Sequence, residues 1–399
     1  MYRSTDLNCP QGPSSTAGKL LTVLDAVLVD GYTTAALTSI TRSGTTATAT
    51  LTVANTTLET GNWATISGCT GGDASLYNGT FQITLDSSTQ FRYTMTGTPG
   101  GSAAGTPVYA KAGLGWTRPS LGGTNPGTNI TAYLPQAVTG YPRFHLRVDD
   151  SGGTAGGVKE AAVRGYETMS DINTGTGLFP SVAQAATGLC WRKSTTTPID
   201  ATLRPWVIVG NGRTFYLVVN SDASLTLGRG FCGFGGFESF KTGDQYNCFI
   251  NGWAGFNTTT QATTGTGLAW GHTAVFSVTG GAFAARGLVQ AGAPVILGNF
   301  VGLTNGAFGL GAINTGLLAY PAPADTGVWF QQPMIFESAI TMARGRLPGF
   351  YSHLHVSFPS ADGDRISGVG NLTGAVLVCV SITNSSTQGQ VHIDTIGPW

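Results

Sequence analysis

Apolar and polar positions repeat with two different periods along this chain. Near the start, Leu20, Leu21, Leu24, Val27 and Leu28 fall at i, i+1, i+4, i+7 and i+8, the spacing of one helix face. Ser14, Ser15 or Thr16 can cap this helix, and Gly31 stands where a C-cap glycine belongs. Such a stripe has to dock, either on the chain's own β core or on a neighbouring subunit. Leu20, Leu24, Val27 and Leu28 are therefore interface candidates.

From about residue 39 the period changes to two. Ile40–Arg42 and Thr46–Val53 alternate, Asn62–Ile66 follows a turn, and Phe81, Ile83, Leu85 and then Phe91, Tyr93, Met95 alternate with polar residues. The Gly/Pro/Ala/Ser stretch from Thr98 to Pro107 reads as an exit linker. Beyond it, short runs recur between Gly-rich turns: Arg143–Val148, Ala161–Tyr166, Trp206–Val209, Thr214–Val219, Cys248–Asn251, Thr273–Val278, Ala293–Leu297, Gly327–Phe336, Ala375–Val380 and Gln390–Ile396. The expected fold is all-β: an antiparallel sandwich or jelly-roll-like main domain over 111–399, a small inserted Ig-like β module over 39–110, and an N-terminal arm with one helix over 1–38. No fixed repeat supports a propeller or β-helix.

Composition sharpens this picture. The 399 residues carry 20 Lys+Arg and 20 Asp+Glu, so the formal net charge is zero. Charged residues make up 10% of the chain, against roughly 25% in an ordinary soluble protein. A basic surplus for phosphate neutralisation is absent, so no nucleic-acid partner is expected. No apolar run is long enough for a membrane span, and no basic n-region with an apolar core marks a secretion signal. So few charges leave an exterior suited to being covered by other subunits. The six cysteines form no C-x-x-C pair and read as scattered reduced thiols.

Candidate chemistry is sparse. G-x-S-x-G and Walker A motifs are absent, and Gly233-x-Gly235-Gly236 reads as a turn. His353-x-His355 places two imidazoles on one strand face, with packing the bland alternative to a metal and no third ligand in view. Asp362-Gly-Asp364 lacks the rest of a calcium loop, which leaves a turn and an Asp364–Arg365 ion pair. Glu160, Glu167 and Asp171 are a conceivable carboxylate set for glycan hydrolysis. Pairing of Arg164 with Glu167 and of Arg147 with Asp149 is the structural alternative. The apolar terminus Ile396 to Trp399 adds Trp399 as an interface candidate, inserted in a pocket of its own domain or of a neighbour. No cofactor and no catalytic residue is expected.

Several patches resemble a family of largely uncharacterised tailed-bacteriophage virion proteins. They run from Tyr2 to Asp6, Gly18 to Tyr32, Phe144 to Asp150, Arg164 to Gly177, Arg204 to Trp206, Gly212 to Tyr216, Phe237 to Tyr246, Arg344 to Phe350, Gly363 to Arg365 and Asp394 to Trp399. Thr60 to Gly68, Asn78 to Phe81 and Phe91 to Tyr93 resemble a β module that recurs in phage tail proteins, with Asn62 where an acidic residue is more usual. The resemblance implies a non-enzymatic structural part of a tail or baseplate, made in the bacterial host cytoplasm and built into the virion. Its expected partners are other copies of itself and other virion proteins. A receptor- or glycan-binding tail protein, a capsid decoration protein and a virion hydrolase are the alternatives.

Overall fold

The computed structural model describes residues 1–55, 57–139, 141–152, 160–186, 188–194, 201–220, 229–252, 282–290, 292, 296–299, 327–332, 334–337, 342–353, 355, 359–368, 370–383 and 388–397. The chain is all-β and antiparallel, organised around one six-stranded sheet. Its strands, in spatial order, are Tyr2–Arg3, Trp206–Gly210, Thr214–Asn220, Arg229–Gly236, Cys248–Asn251 and Ala282–Ala284. Every residue of Thr214–Asn220 is buried. Phe215, Leu217 and Val219 enter one core while Tyr216 and Val218 enter another. A strand covered on both faces needs apolar residues at successive positions, which is why this segment reads as a continuous apolar run.

The first face is covered by a four-stranded sheet in the order Leu189–Arg192, Glu160–Tyr166, His145–Asp149, Ile130–Tyr133. Leu146, Val148, Val163 and Trp191 of that sheet pack in the same core as Phe215 and Leu217. The second face meets a five-stranded sheet in the order Phe330–Gln331, Phe350–His353, Gln388–Asp394, Val376–Thr383, Arg365–Ser367. Phe350, Val378, Val391 and Ile393 supply its share of the second core. The sandwich thus has three β layers. A further four-stranded sheet, with Met342–Arg346 and Met334–Glu337 at its centre, contributes Ile335 to the second core.

The helix forms where its apolar spacing predicts, as α-helix over Lys19–Leu24 continued by a π-helix over Asp25–Asp30. Its start differs from expectation. Gly18 occupies the N-cap with no side-chain cap bond, and Ser14 and Ser15 are buried instead. The orphan amides of the first turn are met from far along the chain, because Asp150 Oδ2 accepts the Leu20 N–H at 2.8 Å. Gly31 closes the segment with φ 75°, and its N–H bonds Ala26 O. A Cβ there would lie 2.4 Å from Lys111 O, so only glycine fits.

The inserted module is a closed six-stranded barrel, not an Ig-like sandwich. Its order is Tyr32–Ser43, Thr46–Leu51, Gln90–Thr94, Gly79–Ser87, Trp63–Thr70, Ala104–Lys111, and back to Tyr32–Ser43. It therefore begins at Tyr32 and ends at Lys111. Closure comes from a strand the composition disguises: Ala104–Lys111, half of it inside the expected linker, pairs with both Tyr32–Ala36 and Trp63–Thr70. Ile40, Ala49, Ile66, Ile83, Phe91 and Tyr109 fill the interior. Gly233 and Gly235 also lie in a strand, Arg229–Gly236, and not in a turn.

Candidate functional site: the junction of barrel and main body

A cluster of charged side chains lies where the N-terminal strand, the barrel and the five-stranded sheet meet. Tyr2–Arg3 pairs with Trp206–Gly210 in the register Tyr2↔Ile208 and Arg3↔Val207, so the arm is fixed to the edge of the central sheet. The Arg3 N–H donates to Asp6 Oδ2 at 3.2 Å, which turns the Asp6 carboxylate back toward the barrel. There Lys111 Nζ donates to Asp6 Oδ2 at 2.8 Å and to Thr57 O at 2.9 Å. The Tyr32 hydroxyl donates to the same carboxylate oxygen at 2.5 Å. Lys111 Nζ also sits 4.7 Å from the centre of the Tyr2 ring. Burial pushes the Lys111 amine down, opposed by the Asp6 charge and hydrogen bond.

Outside this buried knot lies an exposed one. Arg3 Nη2 contacts Glu59 Oε1 at 2.8 Å, and Arg365 Nη2 contacts the same oxygen. Burial pushes the Glu59 carboxyl up, but the surrounding positive charge, Arg365 and Arg3 included, outweighs it and holds the group below the ordinary glutamate range. Glu59 Oε2 is buried and accepts no hydrogen bond. Two cavities share Arg3 and Arg365. One, of about 320 Å³, has Trp206, Val207, Val218, Val378 and Val380 in its wall and Asp362 and Asn220 among its polar groups. The other, of about 360 Å³, lies against Glu59, Thr60, Leu85, Val376 and Ile396. Two partly exposed guanidiniums and apolar walls suit a ligand with acceptor groups. The sequence carries no local sign of this cleft, because Arg3, Glu59 and Arg365 come from three separate segments.

The residues singled out from sequence lie elsewhere. Leu20, Leu24, Val27 and Leu28 are each 0% exposed and belong to the chain's own first core. They are not a surface for a neighbouring subunit: the four-stranded sheet and the central sheet already supply their apolar partners. Trp399 lies outside the described residues, as does Thr273–Val278. Among the described terminal residues, Ile396 packs where a Cβ on Gly61 would point, 3.4 Å away, which ties the end of the chain to the barrel.

The carboxylates do not converge into one set. Glu167 forms a bidentate pair with Arg286 at 2.5 and 2.6 Å, and Glu160 sits opposite Arg192 in the strand register. Asp171 is half-buried and accepts the Asn173 N–H at 2.7 Å. Arg164 reaches the carbonyls of Ala185 and Ala186 instead of Glu167. Arg147 does meet Asp149, at 3.3 Å. Asp364 accepts the Ala361 N–H, while Arg365 turns to Glu59.

His353, His355 and His392 are buried. His355 Nε2 accepts the Trp329 N–H at 2.6 Å, and the His353 ring stands 5.6 Å from that of His392, a neighbour the sequence reading missed. Among the described residues, no group of three or more His, Cys, Asp or Glu side chains could hold a metal ion. None of the six cysteines is in a disulfide, and five are buried. No helix among the described residues is long and apolar enough to cross a membrane. The chain matches neither a protein-family model nor a curated protein.

Proposed function

We propose that this protein is a structural component of a tailed-bacteriophage virion, in the tail or baseplate, working as one copy of a symmetric oligomer without catalysis. The observation that carries the reading is where the scarce charges go. Asp6 with Lys111, Asp150 with Lys193, and Arg344 with Asp244 are buried pairs linking segments distant in sequence, and Arg344 also meets Glu337 on the adjacent strand. Glu167 with Arg286 is a fourth such link, partly buried. A chain with 10% charged residues that uses them as internal ties keeps a weakly charged exterior, which lowers the desolvation cost of large subunit contacts. Cryo-electron microscopy of the virion tests this. Density in a closed ring or collar of the tail, touching several other chains, is the expected result. Density on the head shell means decoration instead.

A second reading, attachment to a host glycan or receptor, draws on the cleft shared by Arg3 and Arg365 and on Trp63, which is 49% exposed on the barrel wall. Density confined to distal tips or fibres favours that reading.

A further inference from the structure

We propose that Asp150 and Lys193 are joined by an intramolecular amide bond, formed within the folded protein with loss of one water. Both side chains are 0% exposed. Asp150 directly follows the strand His145–Asp149, and Lys193 directly follows Leu189–Arg192. These strands flank Glu160–Tyr166 from either side in one sheet. The register sets Asp149 opposite Ala162 and Arg192 opposite Glu160, so both strands finish at the same end of the middle one. Lys193 Nζ contacts Asp150 Oδ1, so nucleophile and electrophile are held together by rigid elements. Such positioning is worth effective molarities of about 10⁵–10⁸ M in well-oriented intramolecular reactions.

The surroundings favour the reaction chemically. Burial pushes the Asp150 carboxyl up and the Lys193 amine down, each toward the neutral form that amide formation requires. The Leu20 N–H donates to Asp150 Oδ2 at 2.8 Å, which polarises the carbonyl and steadies the oxyanion during addition. The Lys193 nitrogen lone pair attacks Asp150 Cγ, and a C–N bond forms. The Cγ–Oδ1 bond breaks, a proton passes from nitrogen to Oδ1, and water leaves. No oxidant or cofactor takes part.

The product fits the hydrogen bonds already present. Oδ2 becomes the amide oxygen and keeps the Leu20 N–H. The remaining proton on the Lys193 nitrogen points to Thr16 O, which lies 3.1 Å away. An ion pair here holds two charges away from water, whereas the amide holds none and satisfies the same partners. The complete burial of both side chains also shields the bond from hydrolysis.

The test is mass spectrometry of the purified, folded wild-type chain after denaturation. The expected result is a mass one water below that of the sequence, with a branched peptide linking the segment around Asp150 to that around Lys193. Lys193→Arg keeps the positive charge but loses the nucleophile, and it is expected to show the full mass. Full mass in the wild type, with Asp150 and Lys193 recovered in separate linear peptides, overturns the proposal. So does a water loss that persists in Lys193→Arg, because the modification then lies elsewhere.

Discussion

Lys111 Nζ and Asp6 Oδ2 lie 2.8 Å apart, across 105 positions of sequence and beneath almost complete burial. This one contact ties the N-terminal arm to the last strand of the barrel, beside the ring of Tyr2. Removing one partner leaves the other charge buried without compensation. Lys111→Met is therefore expected to cost about 3–5 kcal/mol of stability, read from urea denaturation. Lys111→Met combined with Asp6→Leu is expected to recover part of that loss. A single-variant cost near zero rules out a structural role for the pair.

Leu24 is buried in the chain's own core beside Val27 and Leu28. Leu24→Ala should destabilise the protein by about 2–5 kcal/mol and leave its oligomeric state unchanged. Light scattering and thermal denaturation read the two effects separately. Dissociation without loss of monomer stability identifies this face as a subunit contact after all.

Gly31 has φ 75° and no room for a Cβ against Lys111 O. Gly31→Ala combines a left-handed backbone with a steric clash, and a loss of more than about 1 kcal/mol is expected. The melting temperature checks it. An unchanged value means the turn from helix to barrel can relax.

Burial holds His392 down to about 3 and His353 down to about 4. In the unfolded chain an imidazole titrates near about 6.5. Between those values the unfolded state binds more protons than the folded one, so this contribution makes stability rise with pH. It is complete above about 6.5 and is lost as pH falls toward the folded-state values. His392→Gln should therefore flatten the dependence of the urea midpoint between pH 6.5 and 4. A slope identical to the wild type contradicts the assignment.

What could be read from the sequence follows how local the determining forces are. The strand Cys248–Asn251 was bounded at its observed ends, because a short apolar run meets Gly252. The helix was legible because its periodicity survives the change from α to π winding after Leu24. Its cap was not, because Asp150 reaches Leu20 from 130 positions away. The first half of Ala104–Lys111 reads as linker by composition, and only the two partner strands make it part of a strand. The barrel reads as an Ig-like module in sequence for the same reason: closure depends on that one strand. Nothing local links Arg3, Glu59 and Arg365, so the cleft at their junction appears only in three dimensions.

The pairing of Tyr2 with Ile208 and of Arg3 with Val207 sets an order of events during synthesis. The ribosome releases the first residues long before the strand they must join exists. The barrel, whose strands all lie between Tyr32 and Lys111, can close in that interval as a local unit. The arm has to wait beside it with its edge unpaired. The finished barrel then stands between two strands that pair only afterwards, so a nascent chain stalled before residue 206 holds a folded barrel with a loose tether on each side.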